Sequence, residues 1–281
     1  MRGRADDSRR KTPRSPRALD DSHSLDALEE ESLASPALAV LRARRPSKGR
    51  RFLRFVLAFL LVLGIGIMAY PFVQQMLYEV RAHEQMREFD AFAETMHAEE
   101  NAARLQELLE AMKRYNAHLD RDGQNGFVDA WSYEQASFEL AEWGLPDNVF
   151  GYVEIPAIDC HLPIYLGATE ANMALGAVHL SETSVPIGSF DNVSTNSVIA
   201  AHRGYWAAAM FRDIEEIKVG DEVLVTNLWG TLTYRVCATK IILPTETDEV
   251  LIQDGRDMVT LITCHPYGQN YQRYVVHCER V

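Results

Sequence analysis

The sequence has none of the spacings by which chains commonly hold a catalytic metal. No C-x-x-C, no H-E-x-x-H and no paired His/Cys spacing occurs among its nine histidines and four cysteines, so metal binding fits poorly. A G-x-S-x-G elbow is also missing, which removes the usual serine nucleophile of hydrolases. Four cysteines in 281 residues are too few for a disulfide framework. Glycine and proline are absent from Gln74 to Leu119, so that segment has no turn signal and its Ala/Glu/Gln/Leu/Met/Arg composition predicts helix. Charge is absent from the 19 residues Phe55–Val73. No internal repeat is present.

That uncharged run is close to the ~20 residues a helix needs to cross a bilayer. It separates two halves of opposite sign. Up to Arg54 there are 14 basic and 8 acidic residues; beyond it there are 14 basic and 32 acidic. Arg42, Arg44, Arg45, Lys48, Arg50, Arg51 and Arg54 crowd the N-terminal flank, and the positive-inside rule then predicts a cytoplasmic N-terminus with residues 74–281 exported. A cleaved signal peptide is the competing reading. The run is long for a signal core, begins 54 residues in and lacks a small-residue cleavage site, which favours a single-pass anchor in the plasma membrane. The exported part is acidic, so nucleic acid is not an expected partner.

The organisation predicted is a disordered tail over 1–50, a transmembrane helix over 51–73, a helical region over 74–145 and a β domain over 146–281. In the helical region apolar residues recur at Phe89, Phe92, Ala93 and Met96, then at Leu105, Leu108, Leu109 and Met112. A stalk or dimerising helix and a helix packed on the following domain both satisfy that pattern. Strands are predicted at 151–156, 160–166, 197–201, 222–226, 231–238, 240–243, 258–263 and 273–277. Short helices are predicted at 133–142, 171–175 and 210–217. About eight short strands with turn punctuation point to a closed or nearly closed mainly β barrel.

The candidate chemistry sits at two strand ends. Val259–Thr263 is a β-branched run that stops at Cys264, before the turn His265-Pro266, and Arg273 opens the next strand. A thiol at a strand end beside a cation has the layout of a nucleophile with an oxyanion partner, although an isolated cysteine is more often core. The thiol needs a base or a cationic neighbour. His202 ends the strand 197–201 and precedes Arg203-Gly204, which makes it the leading candidate. His265 is the competitor, but adjacent side chains on an extended chain point apart. His161, His179 and His277 sit in or beside strands and read as structural; His83, His97 and His118 lie in the helical region.

With those residues in view, the chain resembles the sortases, cysteine transpeptidases of Gram-positive cell surfaces. Thr260-Leu-Ile-Thr-Cys264 resembles their TLxTC signature, His202-Arg203-Gly204 their HRG segment, and Arg273 falls where their arginine lies. Gly151–Pro156, Leu162–Tyr165, Gly176–Leu180 and Thr183–Gly188 are similar in order and spacing. The resemblance implies an eight-stranded sortase-type barrel. It implies Cys264 as nucleophile toward the Thr-Gly bond of an LPxTG-like sorting signal, His202 as general acid and base, and Arg273 as the oxyanion partner, with Thr263 and His265 in the substrate neighbourhood. No cofactor is implied; Glu246, Asp248 and Glu249 read as an acidic surface loop.

Within the family, Asp129-Ala130-Trp131 resembles the Asp-Pro-aromatic lid of the class C, pilin-polymerising sortases, with Ala130 at the proline position. That resemblance makes residues 74–145 a stalk and lid segment, and it implies pilins as partners and a pilin lysine as acyl acceptor. A housekeeping sortase using a peptidoglycan-precursor amine is the alternative. A thiol hydrolase and an inactive surface binding barrel are alternatives of other classes.

Overall fold

The computed structural model describes residues 48–124, 135–145, 148–206 and 208–281. The chain divides at Leu63/Gly64 into two compact units, and every contact between elements described below lies within the second.

The first element, α1 (Lys48–Met96), is 49 residues in one helix. It runs through Pro71, where one helical N–H is lost and the chain nevertheless continues. Its apolar stretch is long and apolar enough to cross a membrane, and none of that stretch is buried by protein. From Ala82 onward the character changes. Ala82, Met86, Phe89 and Met96 are buried at spacings that place them on one helix face. The single helix expected from Gln74 to Leu119 is interrupted by a 3-10 turn at Glu99–Asn101, and α2 follows (Ala102–Asp122). The break lets both helices present apolar stripes to one core: Phe89 and Met96 cluster with Leu105, Leu108 and Met112 and with Phe150 and Tyr165 of the β domain. Asn116 clamps α2 to the domain, donating to the Val185 carbonyl (3.0 Å) and accepting from its amide (2.8 Å). The described residues of α1 from Ala82 and of α2 are therefore packed on the β domain.

The β domain comprises β1 (Val149–Ile155), β2 (Cys160–Leu166), β3 (Ala177–His179), β4 (Thr195–Ala200), β5 (Glu222–Asn227), β6 (Gly230–Ile242), β7 (Asp257–His265) and β8 (Gln272–Arg280). They close into a barrel in the order β1-β2-β3-β4-β7-β8-β6-β5, as the strand count predicted. Two strands depart from the expected pattern. The three-residue β3 is too short to show a period. The runs 231–238 and 240–243 are one strand, β6, whose register against β8 shifts between Val236 and Ala238. The extra residue is Cys237, a bulge inside the first of those runs, while Thr239 at the expected break pairs regularly with Val276. Gly151 is required where β1 meets β5, since a Cβ there would lie 2.0 Å from the Thr226 carbonyl oxygen.

β4, β7 and β8 are buried on both faces. Ile199, Val259, Leu261 and Val276 join one core cluster with Val153, Ile164 and Val225 of the opposite wall. Val198, Ala200, Ile262 and Val275 join the cluster that contains the α1 and α2 residues. A strand covered on both faces reads as a continuous apolar run, as 258–263 does. A third helix, α3 (Glu170–Leu175), is capped by Thr169, whose hydroxyl accepts from the Asn172 amide (3.1 Å). The helix expected over 210–217 is only a 3-10 turn at Ile214–Glu216. There the Phe211 amide bonds back to the His202 carbonyl (3.1 Å), which diverts the backbone from helical pairing. In 133–142 the described part forms a 3-10 turn, Leu140–Trp143.

Candidate active site

Barrel register brings the three candidate residues to one rim. Cys264, next to last in β7, pairs directly with Arg273, second in β8. Directly opposed residues of an antiparallel pair project to the same face, with Cβ atoms about 4.5–5.5 Å apart. β4 runs parallel beside β7 with Ala200 opposite Ile262, and the Ala201 amide extends the pairing to the Ile262 carbonyl (3.3 Å). Two residues further along each chain stand His202 and Cys264. Side-chain alternation then puts His202, Cys264 and Arg273 on the face of Ala200, Ile262 and Val275, one step beyond the point where the core under the helices ends.

The electrostatics follow from that half-buried position. Burial pushes the Cys264 thiol above its ordinary value, and the Arg273 charge pulls it back down. Burial pushes the His202 imidazole below its ordinary value, against a weaker upward pull from Glu170. The Tyr205 ring stacks on His202 at 4.7 Å and 11°, fixing the plane of the imidazole. Arg273 is buried to 7% exposure, and its Nη1 donates to the carbonyls of Asn270 (2.7 Å) and Gln272 (3.0 Å). A cation held this way is oriented before any substrate arrives.

The other site candidates have structural ties. The Thr263 hydroxyl is fully buried and donates to the Ala201 carbonyl (2.7 Å), tying β7 to the end of β4. His265 points into an ionic cluster: its Nδ1 lies 2.9 Å from Glu215 and 2.8 Å from Nη1 of Arg203. Arg203 also pairs with Glu215 at 2.5 Å. This Arg203–Glu215–His265 cluster buttresses the turns on both sides of the cysteine. Arg203 was visible as the middle of His-Arg-Gly, whereas Glu215 and Tyr205 carried no sequence signal. Gly204 has φ +83, and a Cβ there would approach the Tyr267 ring to 3.2 Å, so a side chain would disturb the turn that carries His202.

His161 bonds Glu154 (3.2 Å), and His179 and His277 are buried, as their structural reading anticipated. Asp129, Ala130 and Trp131 lie outside the described residues. Cys160, Cys237, Cys264 and Cys278 are all free thiols. In the acidic loop, the Glu246 carboxylate accepts from the Leu243 amide (2.7 Å) and Glu249 pairs with Lys240.

A family model described as the sortase domain matches residues 153–281. Sortase A of Bacillus anthracis is 32% identical over 152 residues, covering 53% of this chain and 69% of that protein. Among solved structures, sortase C-1 from Streptococcus pneumoniae is similar at a TM-score of 0.59 with 37% identity, covering 70% of this chain and 98% of its own. Sortase C1 of GBS pilus island 1 is similar at a TM-score of 0.62 with 30% identity, covering 71% and 92% respectively. These class C structures match more of this chain than the barrel contains, so their likeness extends into the helical residues ahead of it.

Proposed function

The chain belongs to the sortase family of cysteine transpeptidases, and we propose that it is a membrane-anchored member that joins pilins. In this reading it cleaves an LPxTG-like signal between Thr and Gly and transfers the acyl end to a pilin lysine. Residues 51–73 span the plasma membrane with the basic tail cytoplasmic, and the helical region and barrel stand outside. The observation that carries the chemistry is the register that sets Cys264 opposite Arg273, with His202 emerging from the parallel neighbour strand.

The Cys264 thiolate attacks the threonine carbonyl carbon, and the carbonyl oxygen takes negative charge beside Arg273. As the tetrahedral centre collapses, the C–N bond breaks and the His202 imidazolium gives its proton to the departing glycine amine. A thioester to Cys264 remains. The lysine amine then attacks the same carbon, neutral His202 takes its proton, the C–S bond breaks and the thiolate is restored. The only bonds exchanged are one amide for another, so no oxidant or cofactor is needed. A positioned amine acts at high effective concentration, which directs the thioester to transfer rather than to water.

The pilin assignment is supported by the match of class C structures beyond the barrel. The likeness to a sortase A favours a second reading, transfer to a peptidoglycan-precursor amine. The test reconstitutes the full chain in liposomes with an LPxTG-type peptide and offers a lysine-bearing pilin fragment or a wall-precursor amine. Mass spectrometry should find the peptide joined to the pilin lysine. Joining to the wall amine alone would replace this reading by the housekeeping one. Release of free acid regardless of amine would make the protein a thiol hydrolase, and no Cys264-dependent product would make it an inactive binding barrel.

A further inference from the structure

The apolar run of α1 begins at Phe55, and at 1.5 Å per residue a bilayer core about 30 Å thick ends near Gln74. A loop of the barrel lies against α1 at that level. A cavity of about 300 Å³ is lined by Tyr70, Gln74 and Leu77 of α1 and by Tyr205 and Trp206 of the loop. A neighbouring cavity brings Pro71 and Gln75 together with Trp206, Arg212 and Tyr267. The contact is pinned just beyond, where the Tyr78 hydroxyl donates to the Leu175 carbonyl (2.9 Å).

Trp206 is the anomaly in this loop. It is 91% exposed and its φ is +52, so a bulky aromatic holds a left-handed backbone that favours glycine while packing on almost nothing. Tyr267 (61% exposed) lines the same cavity, and Tyr70 and Phe72 of α1 are exposed at the same level. Exposed Trp and Tyr gathered where an apolar span ends have the composition of a membrane–water interface belt, in which an aromatic body sits among acyl chains and its polar edge among headgroups.

We infer that the Trp206 loop seats in the outer headgroup layer of the bilayer that α1 spans, holding the catalytic rim against the membrane surface. The occupant is lipid, because the loop continues the surface of a helix whose own apolar face has no protein cover. The inference rests on the reading of α1 as the membrane anchor. It bears on function through Tyr205, which stacks on His202 and is bonded to Trp206: a rim held at the lipid surface suits an acyl donor whose tail is still in the membrane.

The test uses the full chain in vesicles containing phospholipid brominated at a shallow acyl position. The chain has four tryptophans, at 131, 143, 206 and 229, and none of them lies in α1, so the span itself contributes no signal. Tryptophan emission should be quenched in the parent, and Trp206→Phe should lose that quenching. Equal quenching in both proteins overturns the inference. In a second arm, Trp206→Glu should lose turnover of a membrane-spanning substrate while keeping turnover of a soluble sorting peptide. Equal turnover of both substrates, or equal loss of both, also overturns it. Co-flotation with the vesicles tests the anchor separately, and Cys264-dependent turnover of the soluble peptide tests the transpeptidase reading separately.

Discussion

His179 and His202 lie on the same hairpin of the barrel, one at the last residue of β3 and one just past the end of β4, and they meet opposite environments. His179 is fully buried, with Nε2 against the Ser184 carbonyl (2.9 Å) and the Thr183 hydroxyl (3.2 Å), and Nδ1 near the Ser137 hydroxyl (3.4 Å). Burial pushes it down to about 4, so it stays neutral and serves as a joint. His202 has left the strand pairing and is half-buried, with its ring oriented by stacking on Tyr205. The cysteines divide the same way. Cys278 lies inside β8 with no exposure, and burial pushes its thiol far up; Cys160 is pushed up to about 12. At Cys264 alone among the shifted thiols does an arginine oppose the effect of burial. Full burial saturates a reactive group, as at His179, Cys160 and Cys278, whereas a half-buried position just past the core leaves it oriented and reachable.

The sharpest way to break this contrast is to exchange the thiols' fates. Cys264→Ala should abolish the acyl-enzyme seen by intact-protein mass spectrometry. Cys278→Ala should keep the acyl-enzyme and lower the melting temperature, since it opens a small void in the core. Turnover by Cys264→Ala would end the assignment.

Next in size is Arg273→Gln, with a fall in kcat of roughly 10²–10³ if the guanidinium stabilises the oxyanion. Because Arg273 pulls the Cys264 thiol down, the same variant should move the pH midpoint of Cys264 alkylation upward. A fall in kcat with an unmoved midpoint would separate the oxyanion role from the effect on the thiol.

The two histidines give a linkage test. His179 is held at about 4 in the fold against an ordinary 6.5, so its contribution is present above pH 6.5 and is lost as the pH falls toward 4. By this shift the fold should lose on the order of 3 kcal/mol across that window. Denaturant titrations at several pH values should show this acid limb flattened in His179→Gln and retained in His202→Gln, which instead loses turnover. The smallest effect is expected for Tyr205→Leu. Removing a ring stack worth about 0.5–1.5 kcal/mol should lower kcat by roughly two- to tenfold with little change in melting temperature.

Much of this was legible because it depends on local chemistry. Alternation and β-branching marked the strands, the charge-free run marked a helix apolar enough to cross a membrane, and the strand-end positions of Cys264, His202 and Arg273 marked the candidate site. The bulge at Cys237 and the three-residue β3 were hidden, since each is defined by a partner strand distant in sequence. The break at Glu99–Asn101 was hidden for the same reason: the composition there is helical, and only the shared burial of Phe89 with Leu108 makes a break favourable.

The sequence by itself determined a helix long and apolar enough to cross a membrane, the mainly β domain and the three candidate reactive residues, because hydropathy, strand pattern and side-chain chemistry are carried by neighbouring residues. Tertiary structure alone decided that Cys264 stands opposite Arg273 beside the end of β4, that Arg203, Glu215 and His265 form a cluster next to them, and that Trp206 lies beside Tyr70 and Gln74 of α1. Those facts come from barrel closure and tertiary contact, which set β4 beside β7 and Arg203 against His265, 62 positions away, and no local pattern encodes such pairing.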